Sequence, residues 1–212
     1  MCWSATADLV AGTTIGAIGV YCVVRVRTPR ELPLAALPLL LGAHQVVESV
    51  VWRHGGGTGW ATLTWAVIAL PLLPLWVSIG VLLVTPGTAR PRLLIPLVAG
   101  VVTTGVLCHA LATRTVVAEI RGNRVGYLLD LPQPLLVVAG YLLATVGALL
   151  LSGDPILRLL GILTGAGAVV CVVLWRTEFV STWCALAAIV SVVLLVWVRN
   201  GSRRAGVPRG AF

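Results

Sequence analysis

Residues 32–52 read LPLAALPLLLGAHQVVESVVW. The first half of this stretch is leucine, alanine and proline with no charge to interrupt it. At 1.5 Å per residue the whole stretch covers about 30 Å as a helix, the thickness of bilayer hydrocarbon. The second half places His44 and Glu48 on the same span. An ionisable group in hydrocarbon is costly, so such residues mark a site by default.

The apolar pattern recurs on both sides of this stretch. Runs long enough to span fall at residues 7–24, 33–53, 60–84, 93–113, 131–151, 155–175 and 179–198, which predicts an all-α integral membrane bundle of seven transmembrane helices. The composition agrees, with 58% hydrophobic and 10% charged residues and a mean hydropathy of +1.02. Values of that size exclude a water-soluble fold. The start, MCWSATADLV, has neither a basic region nor a small-residue cleavage site before the first run, so the first helix is expected to remain as a span. Residues 1–198 are read as one transmembrane domain and residues 199–212 as a basic cytoplasmic tail. In the third span, Pro71 and Pro74 predict a bend whose freed carbonyls are satisfied by neighbouring helices.

All fifteen basic side chains are arginine. A retinal-type Schiff base needs a lysine amine, so that chemistry is excluded. The net charge of +8 sits in short loops rather than along one face, and it reads as a topology signal rather than a nucleic-acid surface. Arg25, Arg27, Arg30, Arg90, Arg92, Arg158, Arg199, Arg203, Arg204 and Arg209 share one side, against Arg53, Arg114, Arg121, Arg124 and Arg176 on the other. The asymmetry predicts an outside N-terminus and a cytoplasmic C-terminus in the inner (plasma) membrane. Five scattered cysteines without a CxxC pair argue against a disulfide framework.

Close packing is expected at Gly12-x3-Gly16 and Gly161-x3-Gly165. The longest loop, residues 114–130, alternates in polarity on both sides of Gly122-Asn123, a pair suited to a tight turn. It predicts an outer hairpin or re-entrant segment across the helix ends, with Glu119, Arg121, Arg124 and Asp130 pairing across its turn and Val117 and Tyr127 facing apolar surface.

In the second span His44, Glu48 and Trp52 follow at four-residue intervals and share a face, with Gln45 and Ser49 beside them. The expected topology brings Asp8, Cys108, His109, Asp130, Ser181, Trp183 and Cys184 to a similar depth, which predicts an outer-half polar cavity. Three chemistries suit it. Glu48, desolvated and protonated, acts as an acid on an apolar substrate, assisted by His44 and Asp130, while Trp52 and Trp183 face a developing carbocation. Alternatively, His44, His109 and Glu48 hold zinc for lipid hydrolysis, or the His–Glu pair serves a proton-coupled transporter.

The opening MCWSATAD, the segment LPLAALPLLLGAHQVVESVVW and the late FVSTWCALAAIVS resemble an uncharacterised bacterial membrane-protein family. Its members begin Met-Cys-Phe-Ser-Ala and carry His/Gln-Gln-x-x-Glu in helix two. The resemblance covers nearly the whole chain and falls on Cys2, Ser4, Ala5, Gln45, Glu48, Trp52, Trp183 and Cys184, with Trp3 in place of the usual phenylalanine. It implies a shared fold. A looser resemblance is to the small membrane-bound terpene cyclases of meroterpenoid pathways, seven-helix proteins that use membrane carboxylates. It implies an apolar isoprenoid substrate but matches no motif residue by residue; in the polar cavity, Gln45, Trp52, His109, Trp183, Ser181, Cys184 and Trp3 are the expected binding residues. The seven-helix ceramidase group carries an HxxxH in its last helix, which this chain lacks.

Overall fold

A computed structural model describes the backbone of residues 4–122, 124–174 and 179–205 and the side chains of residues 4–122, 125–170 and 186–200. The described residues form seven helices and one hairpin, in the order α1 (Ala5–Val24), α2 (Leu32–Arg53), α3 (Trp60–Val84), α4 (Leu94–Thr113), β1 (Val117–Arg121), β2 (Arg124–Leu128), α5 (Pro134–Leu151), α6 (Pro155–Leu174) and α7 (Phe179–Ala205). The all-α bundle follows the expected spans closely. Segments Ala5–Val24, Pro29–Arg53, Trp60–Val84, Gly87–Thr113 and Pro134–Leu151 are each long and apolar enough to cross a membrane, and Pro155–Val170 and Leu186–Asn200 are shorter apolar segments.

Local chemistry sets the ends. Ser4 caps α1 by accepting the Ala7 N–H at 3.1 Å. Asp154 caps α6 through Oδ1, which accepts the Ile156 and Leu157 N–H groups at 2.8 and 3.2 Å. Helix α5 begins at Pro134 rather than at 131, because the residue before a proline is barred from the α region. Gln133 avoids the right-handed helical region and takes a left-handed conformation with φ of 53°. Helix α7 runs to Ala205, into the stretch read as tail, since RNGSRRA contains no proline before Pro208.

The expected bend in α3 takes the form of a π-turn at Ile68–Leu72, in which the Leu73 N–H reaches Ile68 O. In that register the partner of the Ala69 carbonyl is residue 74, a proline without an N–H. The Tyr141 hydroxyl from α5 donates to Ala69 O at 2.8 Å instead, and the Thr104 hydroxyl from α4 donates to Pro71 O at 2.8 Å. Helix α5 carries a second π-turn at Leu143–Gly147.

Glycines set the closest approaches, as their spacing predicts. A Cβ on Gly42 would meet Gly16 N at 2.7 Å and Gly12 O at 2.8 Å, so α1 and α2 touch backbone to backbone. A Cβ on Gly161 would meet Leu149 Cβ at 3.0 Å, and one on Gly165 would meet Val146 at 3.2 Å, which seats α6 on α5.

The hairpin is antiparallel, with Val117 opposite Leu128 and Arg121 opposite Arg124, and Gly122 turns at φ of 61°. Ala118 also pairs with Gly57 in the α2–α3 connection: the Gly57 N–H donates to Ala118 O at 2.8 Å, and the Ala118 N–H to Gly57 O at 3.0 Å. The ion pairs differ from expectation. Glu119 accepts from Arg121 Nε at 3.0 Å along one strand, and Asp130 pairs with Arg114 at 2.9 Å at the base of the hairpin rather than across its turn. The Arg124 side chain lies outside the described residues.

Candidate functional site

The glycine contact between α1 and α2 fixes what lies one turn beyond it. Gly12 abuts Gly42 O and Val46, and Asp8 precedes Gly12 by four residues on the same face. Because the two helices are antiparallel neighbours, Asp8 is carried against the C-terminal end of α2, beside Glu48 and Trp52. Both carboxyl side chains are 0% exposed. The Tyr127 hydroxyl, reaching in from β2, donates to Glu48 Oε1 at 3.5 Å.

Aromatic rings continue the cluster toward the centre of the bundle. Tyr127 lies flat on Trp65 of α3, with ring centroids 3.4 Å apart and planes within 4°. On its other flank Trp65 meets His44, with centroids 4.8 Å apart at 41°. His44, Gln45 and Trp65 then form part of the wall of a cavity of about 190 Å³, completed by apolar residues such as Leu70, Leu107 and Val138 and by Tyr141. Residues of both π-turned helices, Ala69 and Leu70 of α3 and Leu142 of α5, line it.

Six buried side-chain atoms have no hydrogen-bond partner among the described residues: Asp8 Oδ1 and Oδ2, His44 Nε2, Gln45 Oε1, Trp52 Nε1 and Trp65 Nε1. All six belong to this one cluster. A buried polar atom left unpaired costs about 1–3 kcal/mol, so a concentration of them in a single place is not what packing alone selects. Two, His44 Nε2 and Gln45 Oε1, belong to residues on the cavity wall.

His44, Gln45, Glu48 and Trp52 are thus brought together, as their spacing on α2 predicts. Ser49 is also buried, but its hydroxyl donates back to Val46 O at 2.7 Å within its own helix. His109 is not brought in. The interior face of α4 is set by Gly100, Thr103, Leu107 and Ala110, and Cys108 and His109 fall on the exposed side. Asp130 is not brought in either, since its side chain is 91% exposed and engaged by Arg114. The set His44, His109 and Glu48 therefore does not converge, and among the described residues no three His, Cys, Asp or Glu are grouped to hold a metal ion. Trp3 and the side chains of Ser181, Trp183 and Cys184 lie outside the described residues. Trp65 and Tyr141 complete the cluster without having been singled out, whereas Asp8 was expected at this depth. For Asp8 the signal was present in its position one turn from the Gly12 packing face.

Fold and site together define a membrane-type bundle of seven helices with a buried polar cluster bordering an apolar cavity. The chain belongs to a family of unknown function, DUF6629, whose model matches residues 1–209. No curated protein and no solved structure matches the chain.

Proposed function

We propose that this protein binds an apolar small molecule within the membrane and acts on it as a Brønsted acid, in the manner of an acid-initiated terpene cyclase. The observation that carries the reading is the buried Asp8–Glu48 pair, with Glu48 one turn along α2 from His44 and Gln45, whose unpaired Nε2 and Oε1 belong to residues of the apolar cavity wall. Two carboxyls side by side in a low-dielectric interior do not both ionise, so the pair retains a proton. Glu48 is the donor and Asp8 its neighbour. His44, one turn from Glu48 and on the cavity wall, lies toward the substrate.

The chemistry balances without a co-reactant. The acid O–H breaks as a C–H bond forms at an alkene carbon, ring closure turns π bonds into C–C bonds, and loss of a proton from the final cation restores the acid. The 190 Å³ of the cavity is small beside the roughly 300–1,000 Å³ of drug-sized pockets, which favours a short isoprenoid segment entering while the rest of the chain stays in lipid.

The test is product formation from short polyprenyl substrates by purified protein. Glu48→Gln keeps shape and hydrogen bonding but removes the transferable proton, and it should lower turnover by about 100-fold or more with the melting temperature nearly unchanged. Unchanged turnover would sink the acid reading. A second reading, proton-coupled transport, draws on the two π-turns at the cavity walls, since interrupted helices are where transporters move. It requires substrate flux in vesicles without chemical change. The arginine asymmetry supports an outside N-terminus in the inner membrane, and reporter fusions in the 114–130 segment that read cytoplasmic would reverse that orientation.

A further inference from the structure

We propose that the pocket at the end of the bundle opposite the hairpin binds a phosphate-bearing anion, with a phospholipid headgroup as the expected source. The pocket has a volume of about 370 Å³ and lies where the start of α2, the α3–α4 connection, the start of α6 and the end of α7 meet. Its polar lining includes Arg30, Glu31, Arg90 and Asp154. Two cations and two anions leave no net formal charge, so the preference for an anion rests on which side chains keep open hydrogen-bonding groups.

Three of the four carboxylate oxygens already accept from N–H donors. Asp154 Oδ1 takes the two N–H groups at the start of α6, and its Oδ2 takes the Trp197 indole N–H at 3.3 Å. Glu31 Oε2 accepts the Arg27 backbone N–H at 3.2 Å. The guanidiniums have no such answer. Among the described residues the ion pairs are Arg114–Asp130 and Arg121–Glu119, both at the hairpin end. Arg90 is half-buried and held in the wall by its Nε, which donates to Thr85 O at 3.2 Å. That bond leaves the two terminal nitrogens of Arg90 without a partner among the described residues.

The anchored Arg90 fork and the exposed Arg30 fork, both with uncommitted N–H groups, match the several acceptor oxygens of a phosphate. The source follows from the rest of the wall. Leu83, Val84, Ile156 and Val198 give the pocket an apolar side, and Trp197 is the kind of residue that sits at the lipid–water boundary. A cationic mouth beside an apolar wall, between helix ends at the level of the headgroups, suits a lipid better than a free ion.

Thermal unfolding of the full-length protein in detergent tests this with three probes: dioctanoyl phosphatidylglycerol, dioctanoylglycerol lacking the phosphate, and inorganic phosphate. Phosphatidylglycerol should raise the melting temperature by several degrees and dioctanoylglycerol should not. Arg30→Gln and Arg90→Gln should each weaken the apparent affinity about tenfold, whereas Arg158→Gln, an equal charge change at an exposed residue outside the pocket, should leave it unchanged. Arg30 makes no hydrogen bond that the fold needs, so its variant serves even if Arg90→Gln misfolds. A response to the lipid alone identifies a headgroup site. An equal response to inorganic phosphate that competes with the lipid identifies a soluble phosphate as the source of the same chemistry. No response to either, or an equal loss in Arg158→Gln, overturns the proposal.

Discussion

Toward the end of the bundle away from the hairpin, Leu34, Leu37, Val77, Val81, Leu93, Leu157, Leu160 and Leu194 close on one another with no polar atom among their side chains. Toward the hairpin, the same α2 that supplies Leu34 and Leu37 presents His44, Gln45 and Glu48 to Asp8, Trp65 and Tyr127, and every unpaired buried side-chain atom of the described residues is there. One helix thus serves two purposes along its length. The apolar half supplies cohesion, and that surplus allows the polar half to keep groups that weaken the fold. Apolar packing and unpaired buried polar atoms are separated along the bundle axis rather than mixed.

The contrast can be broken at several points. The largest effect is expected at the glycine seam that joins the halves, because a Cβ on Gly42 meets backbone atoms of α1 that cannot step aside. Gly42→Val should cost at least about 3 kcal/mol and abolish the monodisperse peak in size-exclusion chromatography. Gly16→Ala, with nothing within 4 Å of its added Cβ, should elute as the parent does. Next come the apolar contacts: Leu157→Ala should lower stability by about 2–5 kcal/mol through the cavity it leaves, measured by unfolding in mixed micelles.

The polar half should respond with the opposite sign. Replacing Asp8 by leucine removes a buried carboxyl with only the Trp52 indole N–H beside it to compensate, so Asp8→Leu should raise stability by about 1–2 kcal/mol while impairing activity. If Asp8→Leu destabilised as much as Leu157→Ala, the cluster would be part of the scaffold and the division between the halves would fail. The smallest effect is expected at the exposed Arg114–Asp130 pair. Asp130→Asn should stay within about 0.5 kcal/mol of the parent and should leave turnover intact, because the side chain is outside the cluster.

The spans, the hairpin, both glycine contacts and the α2 face were legible because each rests on a local pattern: run length, turn chemistry, or spacing along one helix. What escaped was which way the remaining helices face. In a soluble protein a polar stripe marks the outside, but in hydrocarbon a helix is apolar toward both lipid and neighbours. His109 and Leu107 therefore look alike in depth and differ only in a rotation that the sequence of α4 does not encode. Asp130 was misplaced for a related reason, since depth was counted along the chain while the Pro132–Pro134 segment delays the helix and leaves the residue outside. Trp65 was one tryptophan among eight, and nothing in its neighbours distinguishes a ring stacked on Tyr127 from one anchored at an interface.

The hydroxyl of Tyr141 holds the Ala69 carbonyl that the prolines of α3 leave free, and the same side chain forms part of the cavity wall. A guest in that cavity rests against the strut that sets the curvature of α3. Occupancy and backbone shape are therefore mechanically joined, and the amide protons around residues 68–73 become a gauge of filling: their exchange should slow when the cavity holds a molecule and quicken when Tyr141 loses its hydroxyl.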